Sequence, residues 1–210
     1  MRFHNLFFEG IGIMKKMTVL ALGALMSASA FAAPEGKSFT GGLFGTEVGT
    51  TKYSVADSEN VSAKSTKDVV LTGGYGFEYG DSNLIGEVGA KAKLLGSKAL
   101  DYTAEDGSAA NVKEKQRLSV GYTQGYRVTS DLMPYAKVDY IHTRLKDSKA
   151  SGIDTANGIG VGLGARYQVA PNVEVGAEYM HSRLLTKKDD AGERAKLKGN
   201  SFSTGVSYRF

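Results

Sequence analysis

The chain has 210 residues with 27 Gly, 11 Tyr, 3 Pro, no Trp and a formal net charge of +4. That length allows one domain, and the Gly and Tyr content leans toward β structure rather than helix. The absence of Cys excludes a disulfide framework, a thiolate metal site and a cysteine nucleophile.

Met14, Lys15 and Lys16 form a short basic region, Met17 to Met26 an apolar one, and Ala30, Phe31 and Ala32 a small-x-small cleavage site, so the mature chain is expected to begin at Ala33. The apolar run falls short of the ~20 residues that a membrane-spanning helix needs, and a secretory signal over 14–32 is the better reading. Residues 1–13 precede a complete signal peptide and have no role in it. Translation is therefore expected to start at Met14, since Glu9 and Gly10 can be encoded by a purine-rich ribosome-binding stretch; peptides from Phe3 to Ile13 in the unprocessed precursor would overturn this. Removing residues 1–32 takes away Arg2, Lys15 and Lys16 against Glu9, which lowers the net charge from +4 to +2. Nothing in that value calls for nucleic acid.

From residue 38 onward two-residue alternation replaces any helical period. The opening strand, about Ser38 to Gly49, is the least regular, because Phe39 and Leu43 share a parity that Phe44 and Val48 do not, and a bulge is expected at Gly41 and Gly42. Next, Val69, Leu71, Tyr75, Phe77 and Tyr79 alternate with Thr72, Gly74, Gly76 and Glu78. Leu84, Val88, Ala90, Ala92 and Leu94 alternate with Glu87, Gly89, Lys91 and Lys93. Leu118, Val120, Tyr122, Tyr126 and Val128 alternate with Arg117, Ser119, Gly121, Thr123, Gly125 and Arg127. Ala136, Val138 and Tyr140 alternate with Tyr135, Lys137 and Asp139. Ile159 to Val169 set an apolar face against Gly158, Gly160, Gly162, Gly164, Arg166 and Gln168. Val173, Val175, Ala177 and Tyr179 alternate with Glu174, Gly176 and Glu178. Phe202, Thr204, Val206, Tyr208 and Phe210 oppose Ser203, Gly205, Ser207 and Arg209.

Eight strands result, and their connections alternate in length. Residues 80–83, 129–132 and 170–172 are short turns, whereas roughly 50–66, 96–113, 145–156 and 185–199 are long and polar. In an up-and-down meander every second connection shares a rim, as in outer-membrane barrels with short periplasmic turns and long external loops. The fold class that follows is all-β, an eight-stranded antiparallel transmembrane barrel over residues 33–210. A soluble barrel would put charge outside. Here the polar parity carries Glu78, Glu87, Lys91, Lys93, Arg117, Arg127, Lys137, Asp139, Arg166, Glu174, Glu178 and Arg209, a mixture of signs that can neutralise itself inside a lumen only wide enough for side chains. The other parity has Tyr and Phe toward strand ends and aliphatic residues between them, as a lipid-facing band requires.

Ser203, Gly205, Tyr208 and Phe210 fit a polar-x-Gly-x-x-aromatic-x-aromatic pattern, which resembles the C-terminal signal read by the barrel assembly machinery. The stretches Phe39 to Gly49 (FTGGLFGTEVG), Leu132 to Asp139 (LMPYAKVD) and Gly158 to Tyr167 (GIGVGLGARY) look like the first, fifth and sixth strands of the small outer-membrane barrels: the OmpA transmembrane domain, OmpX, Ail and the opacity-type proteins. The resemblance implies a monomer in the outer membrane with its loops at the cell surface. A peptidoglycan-binding domain is not expected after Phe210.

Some barrels of this size modify lipid A, and a PagL-type deacylase resembles a His-x-Ser arrangement with a Glu. Here His181 and Ser182 are adjacent and hence on opposite faces of a strand, Glu178 is expected to point inward, and His142 lies two strands away. No catalytic residues follow. Gly158 to Gly164 repeat every second residue with no helix after them, so they are not a dinucleotide loop; they are expected to make room for inward Arg and Lys. No cofactor and no metal site is expected.

Arg183, Lys187, Lys188, Arg194, Lys196 and Lys198 surround the fourth long connection, and Arg144, Lys146 and Lys149 the third. Such residues can pair with lipopolysaccharide phosphates or acidic host polysaccharides, although Asp147, Asp154, Asp189, Asp190 and Glu193 interleave with them. The expected function is that of a non-enzymatic surface barrel displaying four loops for adhesion or host contact. The alternatives are a small porin-like permeability protein and, further off, a lipid A-modifying enzyme.

Overall fold

In the computed structural model, residues 38–55, 61–63, 65–103, 108–147, 153–187 and 195–210 are described. Ten strands lie in this order: β1 (Gly41–Val55), β2 (Val61–Ala63), β3 (Ser65–Glu78), β4 (Leu84–Lys93), β5 (Ser97–Thr103), β6 (Ala109–Tyr126), β7 (Leu132–Asp147), β8 (Ile153–Ala170), β9 (Val173–Thr186) and β10 (Lys196–Arg209). β1, β3, β4, β6, β7, β8, β9 and β10 pair antiparallel in sequence and close on themselves through β1 and β10, from Leu43 opposite Arg209 to Val55 opposite Leu197. This is the eight-stranded barrel, and closure removes every free edge that an open sheet would expose. β2 and β5 carry β3 and β4 outward in the same wall: Val61 opposite Tyr102 keeps the register of Val70 opposite Lys93, and β5 takes the edge of β6 that β4 holds lower down.

The three short turns sit where the sequence puts them. Gly80 (φ +59°) and Asn172 (φ +67°) adopt the left-handed conformation that Gly and Asn tolerate best. The Asn172 side chain also donates to the Arg209 carbonyl at 2.7 Å, tying the last turn to the last strand.

Two expectations fail. The register of β1 against both neighbours runs without a shift from Leu43 onward, so no bulge lies there. The irregular parity has another cause: Leu43 points into the lumen, and Phe39, at φ +66°, is fully buried below it. Bulges occur instead at Lys98/Leu100, Glu114/Gln116 and Gln168/Ala170. The four long connections are also shorter than expected, because β1, β3, β6, β7, β8, β9 and β10 all continue into them.

No helix among the described residues is long and apolar enough to cross a membrane. The crossing is made by strands. Val138, Val161, Leu163 and Val206 stand half or more exposed on the outer wall while Lys137, Asp139, Glu174 and Glu178 are buried inside it. In water that arrangement would be inverted; in hydrocarbon it is the stable one.

Candidate functional site

The lumen is stacked in layers. At the base Phe39, Ile85 and Met133 make an apolar plug. Beside it Arg127 reaches Glu78 at 3.1 Å and the Ser38 carbonyl. Above the plug Glu87 receives both Nη atoms of Arg166 (2.5 and 2.8 Å) and Arg209 at 3.1 Å, while Arg209 also holds Glu174 at 2.5 Å. The Arg166 guanidinium lies over the Tyr135 ring, 5.2 Å from its centre. At mid-height Lys91 bridges Glu47 and Glu178, 2.8 Å from each, Tyr135 donates to Glu178 at 3.0 Å, and Lys137 meets Asp139 at 3.2 Å.

A further charged layer follows. Lys93 contacts Asp68 at 2.6 Å and Glu114 at 2.5 Å, Arg117 pairs with Asp68, and Tyr53 and Thr143 donate to Glu114. A cavity of about 60 Å³ lies between these upper two layers. Over it Tyr53, Ile141, Leu145, Met180, Leu184 and Leu197 close the outer end of the lumen together with Ala99 and Leu100 of β5.

All twelve interior residues expected from the sequence lie on the lumen side or at its base, but that set holds seven bases against five acids. Glu47, Asp68 and Glu114 were missed, and they partner Lys91, Lys93 and Arg117. The signal that could have found them is the surplus of buried cations itself, because an unpaired buried charge is too costly to keep. The glycines of β8 do not make room for Arg or Lys. A Cβ on Gly164 would meet the Tyr135 ring at 2.5 Å, one on Gly160 the Met180 sulfur at 2.8 Å, and one on Gly158 the Arg183 carbonyl at 1.8 Å.

The outer wall is layered too. Above the apolar belt, ending in Tyr140, Tyr179 and Phe202, comes a neutral polar ring of Thr50, His142, Asn157, His181 and Asn200. The His142 and His181 rings hydrogen-bond Asn157 (2.6 Å) and Asn200 (2.8 Å). His181 thus faces away from the buried Ser182 and Glu178. Among the described residues no group of His, Asp and Glu could hold a metal.

Beyond that ring stand Lys52, Arg144, Arg183 and Lys198, each four residues past an outward Val48, Tyr140, Tyr179 or Phe202 and each exposed. Arg183 is directly opposite Lys198. Lys67, Lys146, Lys187 and Lys196 are exposed at similar or greater height. Of the expected polyanion contacts, Arg144, Lys146, Arg183, Lys187, Lys196 and Lys198 are therefore placed at the outer strand ends, and Lys149, Lys188 and Arg194 lie outside the described residues. So do Ala30, Ala32 and Ala33 of the cleavage site, with the rest of the leader. At the C-terminus Ser203 and Gly205 face Glu47 in the lumen, Tyr208 stacks edge-on with Phe210 outside, and the Phe210 amide donates to Gly42 at 2.8 Å.

Residues 18–210 match the family model described as the outer membrane protein beta-barrel domain. The chain belongs to that family. Among solved structures it is similar to Ail, the attachment invasion locus protein of Yersinia pestis (16% identity, 80% of this chain and 97% of that one, TM-score 0.53). It is likewise similar to Neisserial surface protein A (17%, 80% and 97%, TM-score 0.54) and to OprG of Pseudomonas aeruginosa (14%, 81% and 96%, TM-score 0.53). At these identities the likeness is one of fold; the family itself places the protein in the bacterial outer membrane. No curated protein matches the chain.

Proposed function

We propose that this is a non-conducting, non-enzymatic surface barrel, monomeric, whose outer wall grips lipopolysaccharide and whose four outer connections meet host or neighbouring surfaces. The observation that carries the reading is the closed lumen: ion pairs fill its middle and apolar residues seal both ends, at Phe39, Ile85 and Met133 below and at Leu145, Leu184 and Leu197 above. A steady pore needs a continuous wet path, and a cavity of about 60 Å³ holds only a few waters.

The ring of Lys52, Arg144, Arg183 and Lys198 supports the lipopolysaccharide contact. It stands about 13 Å along the strand past the last apolar outward residue of each, beyond a neutral ring that matches the polar edge of the leaflet. Ser203, Gly205, Tyr208 and Phe210 would present the C-terminal strand to the assembly machinery. The likeness to Ail, the attachment invasion locus protein, supports the adhesive role. Planar-bilayer recording tests the central claim: silence or rare openings are expected, and large, persistent conductance would favour the porin-like alternative. Mass spectrometry of lipid A from a deletion strain is expected to show no change in acyl chains, and a changed pattern would favour the enzyme.

A further inference from the structure

The charged layers of the lumen do not all balance. Glu78 with Arg127, Glu87 and Glu174 with Arg166 and Arg209, and Asp68 and Glu114 with Lys93 and Arg117 are each neutral. The mid-height layer sets three carboxylates, Glu47, Asp139 and Glu178, against two ammonium groups, Lys91 and Lys137. One positive charge is missing there, inside the wall that faces hydrocarbon, where an uncompensated charge is too costly to keep.

The same layer borders the cavity of about 60 Å³, which has room for a small ion and a water and is lined by Glu47, Asp139, Glu178 and the hydroxyls of Ser119, Ser201 and Ser203. Oxygen atoms are left over around it. Both hydrogen bonds of Glu47, from Lys91 and Ser203, fall on Oε2. Asp139 is 1% exposed; its Oδ2 takes Ser119 and Lys137, each at 3.2 Å, and its buried Oδ1 has no hydrogen-bond partner among the described residues. A proton on that oxygen would be no remedy, since the O–H would then be a buried donor with no acceptor. The carboxylates do not converge closely enough to hold a metal by themselves, and a divalent ion would turn the deficit of charge into an excess. A hard monovalent cation restores neutrality and completes its shell with hydroxyl and water oxygens.

We propose that the cavity beside Glu47 and Asp139 binds one alkali cation, sodium or potassium, taken up as the barrel closes and held among the mid-height carboxylates. The site is independent of what the outer wall and the connections bind. It rests on the closed-lumen reading and makes a small ion part of the folded core.

Urea unfolding of the whole protein in neutral phosphatidylcholine vesicles tests it, with sodium, potassium or choline chloride compared at one ionic strength. Choline carries the same charge and is too large for the cavity. An alkali ion is expected to raise the folding equilibrium constant about tenfold for each tenfold rise in its concentration above Kd, the slope of one bound ion. The ion with the larger response is the one that the cavity prefers, and choline should give no such rise. D139N, which removes the surplus charge with little change of shape, should be insensitive to the choice of cation. Should D139N fail to fold, diffraction from the native protein crystallised with thallium(I), a heavy stand-in for potassium, still decides. An anomalous peak is expected in the cavity beside Glu47 and Asp139, and a lumen without one would overturn the site. So would equal stability in all three salts, a full alkali response in D139N, or uptake of one proton on folding in place of the cation. Bilayer recording keeps the two readings apart, since steady conductance defeats the closed lumen, whereas a silent barrel with no alkali response defeats only the cation site.

Discussion

The lower and outer halves of the barrel sort their side chains in opposite directions on the same strands. Low on β7, Lys137 and Asp139 point in while Val138 and Tyr140 point out; higher up, Ile141 and Leu145 point in while Arg144 and Lys146 point out. β9 passes from inward Glu174 and Glu178 to inward Leu184 beside outward Arg183, and β10 from inward Arg209 to inward Leu197 beside outward Lys198. The backbone is continuous through the change, so strand geometry does not cause it. The surroundings do: where hydrocarbon is outside, charge is driven into the lumen and must pair there, and where water and headgroups are outside, the ordinary apolar core returns. The wall is a membrane barrel below and a soluble-type barrel above, and the level at which the pattern turns over marks the outer edge of the hydrocarbon.

Substitutions on either side of that level should therefore behave differently. The largest effect is expected from E87A, which leaves Arg166 and Arg209 without the carboxylate they share. Breaking a buried pair costs about 3–5 kcal/mol, and urea unfolding in lipid vesicles should show at least that loss. L184A, in the apolar cap, should cost about 2–5 kcal/mol as a cavity in an ordinary core does. An equal loss with an aliphatic residue in place of Glu87 and Glu174 together would mean that the lower half is not governed by charge pairing.

On the outside, V161R places a cation in the lipid belt and should cost about 2–4 kcal/mol, measured by the same unfolding. The smallest effect is expected from the reverse change above the turnover level. R183V should alter stability by less than about 0.5 kcal/mol in neutral detergent, because it also relieves the repulsion with Lys198. If V161R and R183V destabilised equally, hydrocarbon would extend past both positions and the division would be wrong.

The lower half was legible from the sequence because a single environment acts on each face along its whole length, and period-two alternation reports that directly. Reading failed where two environments meet. Lys52, Arg144, Arg183 and Lys198 looked like loop charges because polar residues on the outward parity contradict a lipid-facing strand, yet all four lie within strands. For the same reason Asp68 and Glu114, beside or inside stretches that read as loops, were not counted in the lumen. Glu47 was lost differently: Leu43 and Phe39 fill the lumen below it, and two apolar residues on the inward parity obscured which face of β1 was which.

Arg209 belongs to the strand that closes the ring, and its guanidinium spans Glu174 on β9, Glu87 on β4 and the Gly41 carbonyl on β1. Glu174 meets Arg209 as soon as β9 and β10 pair, whereas Glu87, on β4, lacks this cation until β10 docks on β1. Zipping the seam and neutralising the centre are consequently one event, so a half-closed sheet gains little from either, and insertion should proceed as a single concerted step without a stable open form.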